Sequence, residues 1–524
     1  MRQYLELKSR NFFLLGIVTI AVGLAMSKPL ISFGQLIILL TWLIDGKIKD
    51  RIIAFYQNKT AVVLSSIYLL TLIGLLYTTN FDYAVGDVRR KLAMFGLPFL
   101  IAGFQPITNK EWKLIFQIYV ASILVASFWC MYVYFGGLGK PIVDVREYSR
   151  FHSHIRFGLE VSFAIFGAAY FLHKTVSYLE KTIWAIIVLW LIVFSYTISL
   201  FTGMVASILT AFILLLLFSF ISSNRKVRYT VLFGLIVLLS YIGVMINRIV
   251  VDYLEDKNVE QLKKEQFSSS REKYYHDVTS LRKDEKENGH FVWRNIAWEE
   301  LSKAWNEKSG LSFSGKDLKN QELSTTLIRF LTSKGVNKNA ESINRLKKEE
   351  VTAIEKGVAN YRYLQMNNFE KRIHKVLWEY DNYQQGRDFN GHSVMMRWEY
   401  WKTAWRIFKG NCWLGVGTGD VQDAFDVQYE KDDSKLRSEN RVRAHNQYIT
   451  YTVTYGVLGL FAFLFFLIFP MINSRRYRDY TYLAFFSIVL LSMMTEDTLE
   501  TQVGINFFVL FNTILLLKED TPKN

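Results

Sequence analysis

Only two cysteines, six prolines and thirty glycines occur in 524 residues. Two cysteines cannot supply a disulfide framework. So little proline and glycine excludes a collagen-like or linker-like chain. Charge is the third scarcity, and it is local. Lys, Arg, Asp and Glu make up 21% of the chain, yet more than half of them fall in one block, residues 247–446. Elsewhere, apolar runs of the ~17–24 residues that cross a bilayer alternate with short charged loops. That pattern excludes a soluble enzyme, a secreted scaffold and a disordered chain. What is abundant is hydrophobic (51%) and aromatic (16%) side chain, with a net charge of +15.

Nine apolar runs precede the charged block, at residues 12–26, 30–44, 61–77, 92–104, 114–135, 155–172, 183–200, 204–221 and 229–246. Three follow it, at 449–472, 482–494 and 503–517. The expectation is an all-α polytopic integral membrane protein of about twelve transmembrane helices. It has an N-terminal membrane domain (1–246), a large mainly helical loop domain (247–446) and a C-terminal membrane domain (447–524). Retained positive charge marks cytoplasmic loops. With the N-terminus inside, the inner loops carry Lys47, Lys49, Arg51 and Lys59, and later Arg475, Arg476 and Arg478. The last outer loop carries Glu496, Asp497 and Glu500 and no cation. The charged block then lies outside. The first run is followed by Lys28-Pro29 and another span rather than a small-residue cleavage site, so it is expected to remain as an anchor. Cys130 falls inside a span and Cys412 outside, so the two are not expected to pair.

Two outer clusters oppose the charge rule. Arg89, Arg90 and Lys91 stand before the fourth span; Arg146, Arg150 and Arg156 flank the sixth, beside His152 and His154. Cations on a translocated side cost insertion energy. They are either side chains snorkelling to lipid phosphates or a pocket for an anionic, phosphorylated ligand.

Within the outer block, residues 247–389 read as a soluble helical insertion. Apolar residues recur at helical spacing, as in Ile373, Val376, Leu377 and Tyr380, and in Trp293, Ala297, Leu301 and Trp305. The tryptophan stripe suits a core better than a sugar platform. Lys and Glu nearly balance, so the surface is solvated and offers no nucleic-acid patch. No metal-ligand spacing is visible. The segment 390–446 differs. From His392 to Phe408 it reads as an aromatic-rich amphipathic helix for the membrane interface, with Trp398, Trp401, Ala404, Trp405 and Phe408 on one side and Arg397 on the other. Gly415-Val-Gly417-Thr-Gly419 lacks the Lys-Ser/Thr of a phosphate loop and reads as a flexible turn. Then Arg441-Val-Arg443-Ala-His445-Asn446 sits directly before the tenth span, in which Gly456 and Gly459 allow close helix approach.

The run His445-Asn446, nine residues, Gly456, two residues, Gly459 resembles the signature of the O-antigen ligase family, grouped with Wzy-type polymerases and bacterial O-oligosaccharyltransferases. Arg397-x-x-Tyr400-Trp401 and the Gly-x-Gly-x-Gly turn resemble it too. The likeness is specific over 390–459, architectural over the first nine spans, and does not extend to 247–386. Members often have a Ser-Arg segment where this chain has Leu200-Phe201. The resemblance implies a GT-C-like, metal-independent, inverting glycosyltransferase without cofactor, in the bacterial inner membrane with its large loop in the periplasm. The implied donor is a glycan on undecaprenyl diphosphate. The implied acceptor is lipid A–core, or another glycan or a protein hydroxyl; membrane lipids are further partners and nucleic acid is not.

The chemistry fits the residue types. A diphosphate leaving group needs cations more than an acid, arginine's planar fork suits phosphate, and an imidazole suits taking a hydroxyl proton. His445 is therefore expected as base, Arg397 with Arg89, Arg90, Arg150 and Arg156 as diphosphate ligands, and Asn446, Arg443 and His392 in support. A polymerase or a protein O-transferase would use the same donor. A flippase or transporter remains the reading from another class, though it would place its charges nearer the midplane.

Overall fold

The computed structural model describes residues 2–139, 147–149, 151, 153–198, 200–222, 224–256, 262–277 and 284–519. Arg146, Arg150 and His152 lie outside the described residues. The helices are α1 (Arg2–Met26), α2 (Lys28–Ile44), α3 (Ile48–Gln57), α4 (Lys59–Ser65), α5 (Ile67–Ile73), α6 (Phe81–Lys91), α7 (Ala93–Ala102), α8 (Asn109–Tyr134), α9 (His154–Lys174), α10 (Tyr178–Thr197), α11 (Phe201–Ile221) and α12 (Arg225–Asp256). A hairpin, β1 (Lys286–Glu287) and β2 (His290–Phe291), precedes α13 (Trp298–Lys308), α14 (Leu323–Ser333), α15 (Ala340–Asn344), α16 (Lys348–Glu355) and α17 (Asn368–Gln384). The chain ends with α18 (Ser393–Gly410), α19 (Val421–Lys431), α20 (Gln447–Asn473), α21 (Tyr480–Met493) and α22 (Gln502–Leu517).

Among the described residues, each of the twelve apolar runs is helical over most of its length. Among the described residues, eight helices are long and apolar enough to cross a membrane, or nine if the bent pair α2–α3, with its 114° break, counts as one span. The expected twelve is not reached by length, because α7, α21 and α22 span only 10, 14 and 16 residues. The physical reason is plain for α22: every residue from Val503 to Leu516 is buried. It is apolar because it is packed on all sides by protein, a condition that hydropathy alone cannot tell from lipid. Phe511 meets Tyr119, Phe163, Phe485 and Phe507 at ring-centroid distances of 4.8–6.1 Å. By contrast α10 exposes Ile186 and Leu189, as a lipid-facing helix must.

Local signals explain the element ends. Thr108 and Glu111 form a reciprocal capping box that starts α8, and Arg10 of α1 grips the same Glu111. Glycine lets α1 and α2 touch: a Cβ on Gly34 would lie 2.6 Å from the Gly16 carbonyl.

The chain divides into two compact units. One comprises the described residues within Met1–Gly139, Val145–Leu232 and Asn390–Asn524; the other comprises those within Phe233–Phe389. The second unit has its own core, built from Val292, Ile296, Leu301, Trp305, Leu327 and Ile354. Trp293 and Trp305 belong to it, although the helix begins only at Trp298. The expectation of a mainly helical insertion omitted the hairpin. Asn288 (φ +46°) and Gly289 (φ +82°) make its two-residue turn, and an Asn-Gly pair is the strongest short hairpin signal. The expected apolar face of α17 is also corrected. Its buried residues are His374, Glu379 and Asn382, while Tyr380 is half exposed.

Candidate functional site: two carboxylates that gather the cations

The start of α20 is built by Asn446. Its side-chain oxygen accepts from the Ile449 N–H at 3.1 Å, and its amide donates to the Met494 carbonyl at 2.8 Å. The residue before it, His445, holds φ +48°. That left-handed conformation costs a non-glycine residue roughly 1–3 kcal/mol and concentrates at functional positions. The turn points the imidazole back at α18. There the Tyr400 ring lies 5.8 Å from it, and the Trp401 indole donates to the Ala444 carbonyl at 3.0 Å. One turn earlier on α18 stands Arg397.

Both groups meet Glu496, in the loop between α21 and α22. Arg397 Nη2 donates to Oε1 at 3.0 Å, and His445 Nδ1 lies 3.4 Å from Oε2, longer than a good hydrogen bond and an ion pair only when the imidazole is protonated. Arg156, in the first turn of α9, acts electrostatically on the same carboxylate. Burial alone would raise the Glu496 carboxyl; His445, then Arg397 and Arg156, hold it below the ordinary glutamate range. The Nε–H groups of Arg156 and Arg397 are buried without a hydrogen-bond partner among the described residues.

Four residues on, Glu500 organises a second cluster. Lys91 Nζ lies at 2.7 Å, Arg443 NH1 at 3.0 Å and Gln447 Nε2 at 3.3 Å. Lys91 also pairs with Asp87 at 2.8 Å. Burial would raise the Glu500 carboxyl, but Lys91 and Arg443 hold it well below the usual range, and Glu500 in turn keeps Arg443 firmly charged against its own burial.

The structure therefore sorts the residues expected from sequence. It brings His445 and Arg397 to one carboxylate, on which Arg156 acts only electrostatically. It places Arg443 in the buried Glu500 cluster, with its NH1 committed to Glu500. Arg89 and Arg90 are exposed on α6, and Arg90 pairs with Asp87 at 3.2 Å. Arg150 lies outside the described residues. His392 is the N-cap residue of α18, five positions before Arg397. Sequence reasoning missed Glu496, Glu500 and the interior role of Lys91. The signal is three acids in a loop with no cation, a pattern that marks orientation and also a demand for cations from elsewhere in the chain.

The glycine segment needs a larger correction. It is no flexible turn. Gly456 (φ +68°, ψ −171°) breaks α20, and residues 412–417 run along the break. Val416 and Gly417 donate to the Val453 and Thr454 carbonyls at 3.0 and 2.9 Å, and the Val457 N–H donates to Cys412 at 2.8 Å. These bonds replace the helical ones lost at the kink. A Cβ on Gly415 would lie 2.4 Å from the Thr454 carbonyl, and one on Gly456 would lie 2.1 Å from that of Trp413. The close approach that Gly456 permits is thus to a hydrogen-bonded turn at Trp413–Leu414 and not to a helix. Beyond it Asp420 accepts from the Thr79 and Asn80 N–H groups at 2.8 and 2.7 Å, fixing the start of α6. On α18, too, the faces differ from expectation. Met395, Tyr400, Thr403, Ala404 and Ile407 are buried, whereas Trp398 and Trp405 are about half exposed.

The described residues thus form a mostly helical, multi-pass membrane protein. Residues 335–464 match the family model described as O-antigen ligase, which bears out the resemblance carried by the His445-Asn446 and Gly456–Gly459 motif. The matched stretch begins inside the insertion, so the likeness is wider than 390–459. Members of this family are glycosyltransferase-like enzymes. The match contains Arg397 and His445 but stops short of Glu496 and Glu500. No curated protein matches the chain.

Proposed function

We propose that this chain is an inner-membrane glycosyltransferase of the O-antigen ligase type, moving a glycan from undecaprenyl diphosphate to a hydroxyl of lipid A–core at the periplasmic face. The observation that carries the reading is the pair of unpartnered guanidinium N–H groups on Arg397, which bonds to Glu496, and on Arg156, which acts on the same carboxylate electrostatically. Buried donors without acceptors are costly, and a diphosphate oxygen is the acceptor that planar guanidinium groups match best. Arg89 and Arg90, being exposed, take at most a peripheral part.

In the proposed step the acceptor oxygen attacks the anomeric carbon from the face opposite the diphosphate. The new C–O bond forms as the anomeric C–O–P bond breaks, inverting the centre. The hydroxyl proton passes to His445, the negative charge departs on undecaprenyl diphosphate beside Arg397 and Arg156, and no metal or cofactor enters. Glu496 orients the imidazole and stabilises the imidazolium that forms. Preorganised dipoles and charges of this kind supply what a metal would in other transferases.

Deleting the gene and resolving lipopolysaccharide on a gel tests the acceptor. Loss of all polymer capping, with polymer retained on the lipid carrier, is the expected result. Single-repeat caps would make the chain a polymerase. Normal lipopolysaccharide with lost glycoproteins would make it a protein transferase.

A further inference from the structure

We infer that the second unit carries a binding site for one neutral pyranose ring, in a cavity along the polar face of α17. The cavity has a volume of about 260 Å³, near the small end of the ~300–1,000 Å³ usual for small-molecule sites. That is room for a single sugar ring. Its walls include Tyr253 of α12, His374, Trp378, Asp381 and Asn382 of α17, and Gln385 at the α17 C-cap.

Three features choose the ligand. First, α17 is inverted relative to an ordinary amphipathic helix: it buries His374, Glu379 and Asn382 and leaves Tyr380 half exposed. Burying polar groups is unfavourable unless they find partners. Next door that condition is met, for Arg329 donates to Glu287 at 2.7 Å, Asn360 donates to Glu287 at 3.0 Å, and Asn288 and Asn360 are bonded to each other. At the cavity it is not met. His374 is 2% exposed and Asn382 4% exposed, yet His374 Nε2 and Asn382 Nδ2 have no hydrogen-bond partner among the described residues. A hydroxylated ligand satisfies both.

Second, the charge of the lining cancels. Asp284 and Asp381 face Lys286 and Arg387, and Arg387 already donates to Asn382 Oδ1 at 2.9 Å and to the Asp284 carbonyl at 2.8 Å. No surplus cation awaits a phosphate. Burial, with Arg362 adding to it, pushes the His374 imidazole down to about 4. It is neutral at neutral pH, and with Nδ1 on the Tyr363 hydroxyl at 3.3 Å its Nε2 is left to donate to, or accept from, a ligand hydroxyl. Third, two aromatic rings belong to the wall. Tyr253 donates its hydroxyl to Asp381 at 2.6 Å and sets its ring edge-on to His374 at 5.1 Å. The electron-rich faces of such rings suit the C–H patches of a pyranose.

The site shares no residue with the Glu496 cluster, so its test is separate from that of glycosyl transfer. The full-length protein in lipid nanodiscs is titrated with methyl glycosides of neutral hexoses, 6-deoxyhexoses and N-acetylhexosamines, and with inorganic diphosphate, followed by saturation-transfer NMR. Saturable binding of at least one glycoside is expected. Trp378→Ala and Gln385→Ala should each weaken it about tenfold, the loss of one packing or hydrogen-bonding partner. Gln385 is exposed, so that variant leaves the core intact. His445→Ala should bind as the wild type does. Failure of every glycoside to saturate, binding indifferent to both the Trp378 and the Gln385 variants, displacement by diphosphate, or loss in His445→Ala would each overturn the inference.

Discussion

Glu496 and Glu500 lie four residues apart in one loop, both buried and both ringed by cations from distant parts of the chain. They are nevertheless put to opposite uses. Around Glu500 the accounting is closed: Lys91, Arg443, Gln447 and Asp87 meet at hydrogen-bond distance, and the Lys91 and Asp87 side chains are almost fully buried. Around Glu496 it is open. Arg397 and His445 are partly exposed, the His445 contact is long at 3.4 Å, and two guanidinium N–H groups remain unpartnered. Saturation builds architecture, whereas incomplete saturation leaves charge available for a ligand. Residue type alone does not separate the two.

The sharpest way to break this contrast is His445→Ala. Transfer of glycan by the purified protein should fall by about 10²–10⁴, the contribution of a positioned acid–base group, with the unfolding midpoint read alongside to show that the protein still folds. Wild-type turnover in that variant would remove His445 from the chemistry. Next in size is Lys91→Met, which leaves buried carboxylates undercompensated. A loss of about 3–5 kcal/mol of stability is expected, read as a lower unfolding midpoint in detergent, and an unchanged midpoint would refute the Glu500 cluster as a structural element.

Glu496→Gln should do the reverse: a fall of about 10–100-fold in transfer, the worth of a hydrogen bond to a charged group, with little change in stability. If stability fell as far as in Lys91→Met, the distinction between the two carboxylates would collapse. A pH titration sharpens it. The Glu500 carboxyl is depressed in the folded state, so the advantage of wild type over Glu500→Gln is full above roughly pH 4.3, the ordinary glutamate value. It shrinks as pH falls through the lower folded value. An advantage that grew on acidification would contradict the assignment. The smallest effect belongs to Arg89→Ala. Exposed on α6, it should shift stability by no more than ~0.5 kcal/mol and transfer by less than about threefold, and a large loss of transfer would return Arg89 to the diphosphate site.

Much of this was legible from residues alone. Charge scarcity and apolar runs gave the membrane helices, and the His445-Asn446 and Gly456–Gly459 spacing gave the family resemblance over a stretch that the family match includes. Other parts were legible but misread. Asn288-Gly289 announces a hairpin, and the acids at 496, 497 and 500 announce a demand for cations. The glycines at 415, 417 and 419 were visible as special positions. Their purpose was not, because the surface they must lie against is the broken backbone of α20, more than thirty residues away in sequence.

By itself, then, the sequence determined which segments are helical and which side chains could handle a phosphate, since hydropathy and protonation chemistry are properties of residues and their near neighbours. Only the tertiary structure decided which guanidinium groups share a carboxylate, which face of α17 is inside, and whether an apolar helix such as α22 meets protein or lipid. Those outcomes depend on pairings between groups separated by tens to hundreds of residues, and such pairings leave no periodicity in the chain from which they can be read.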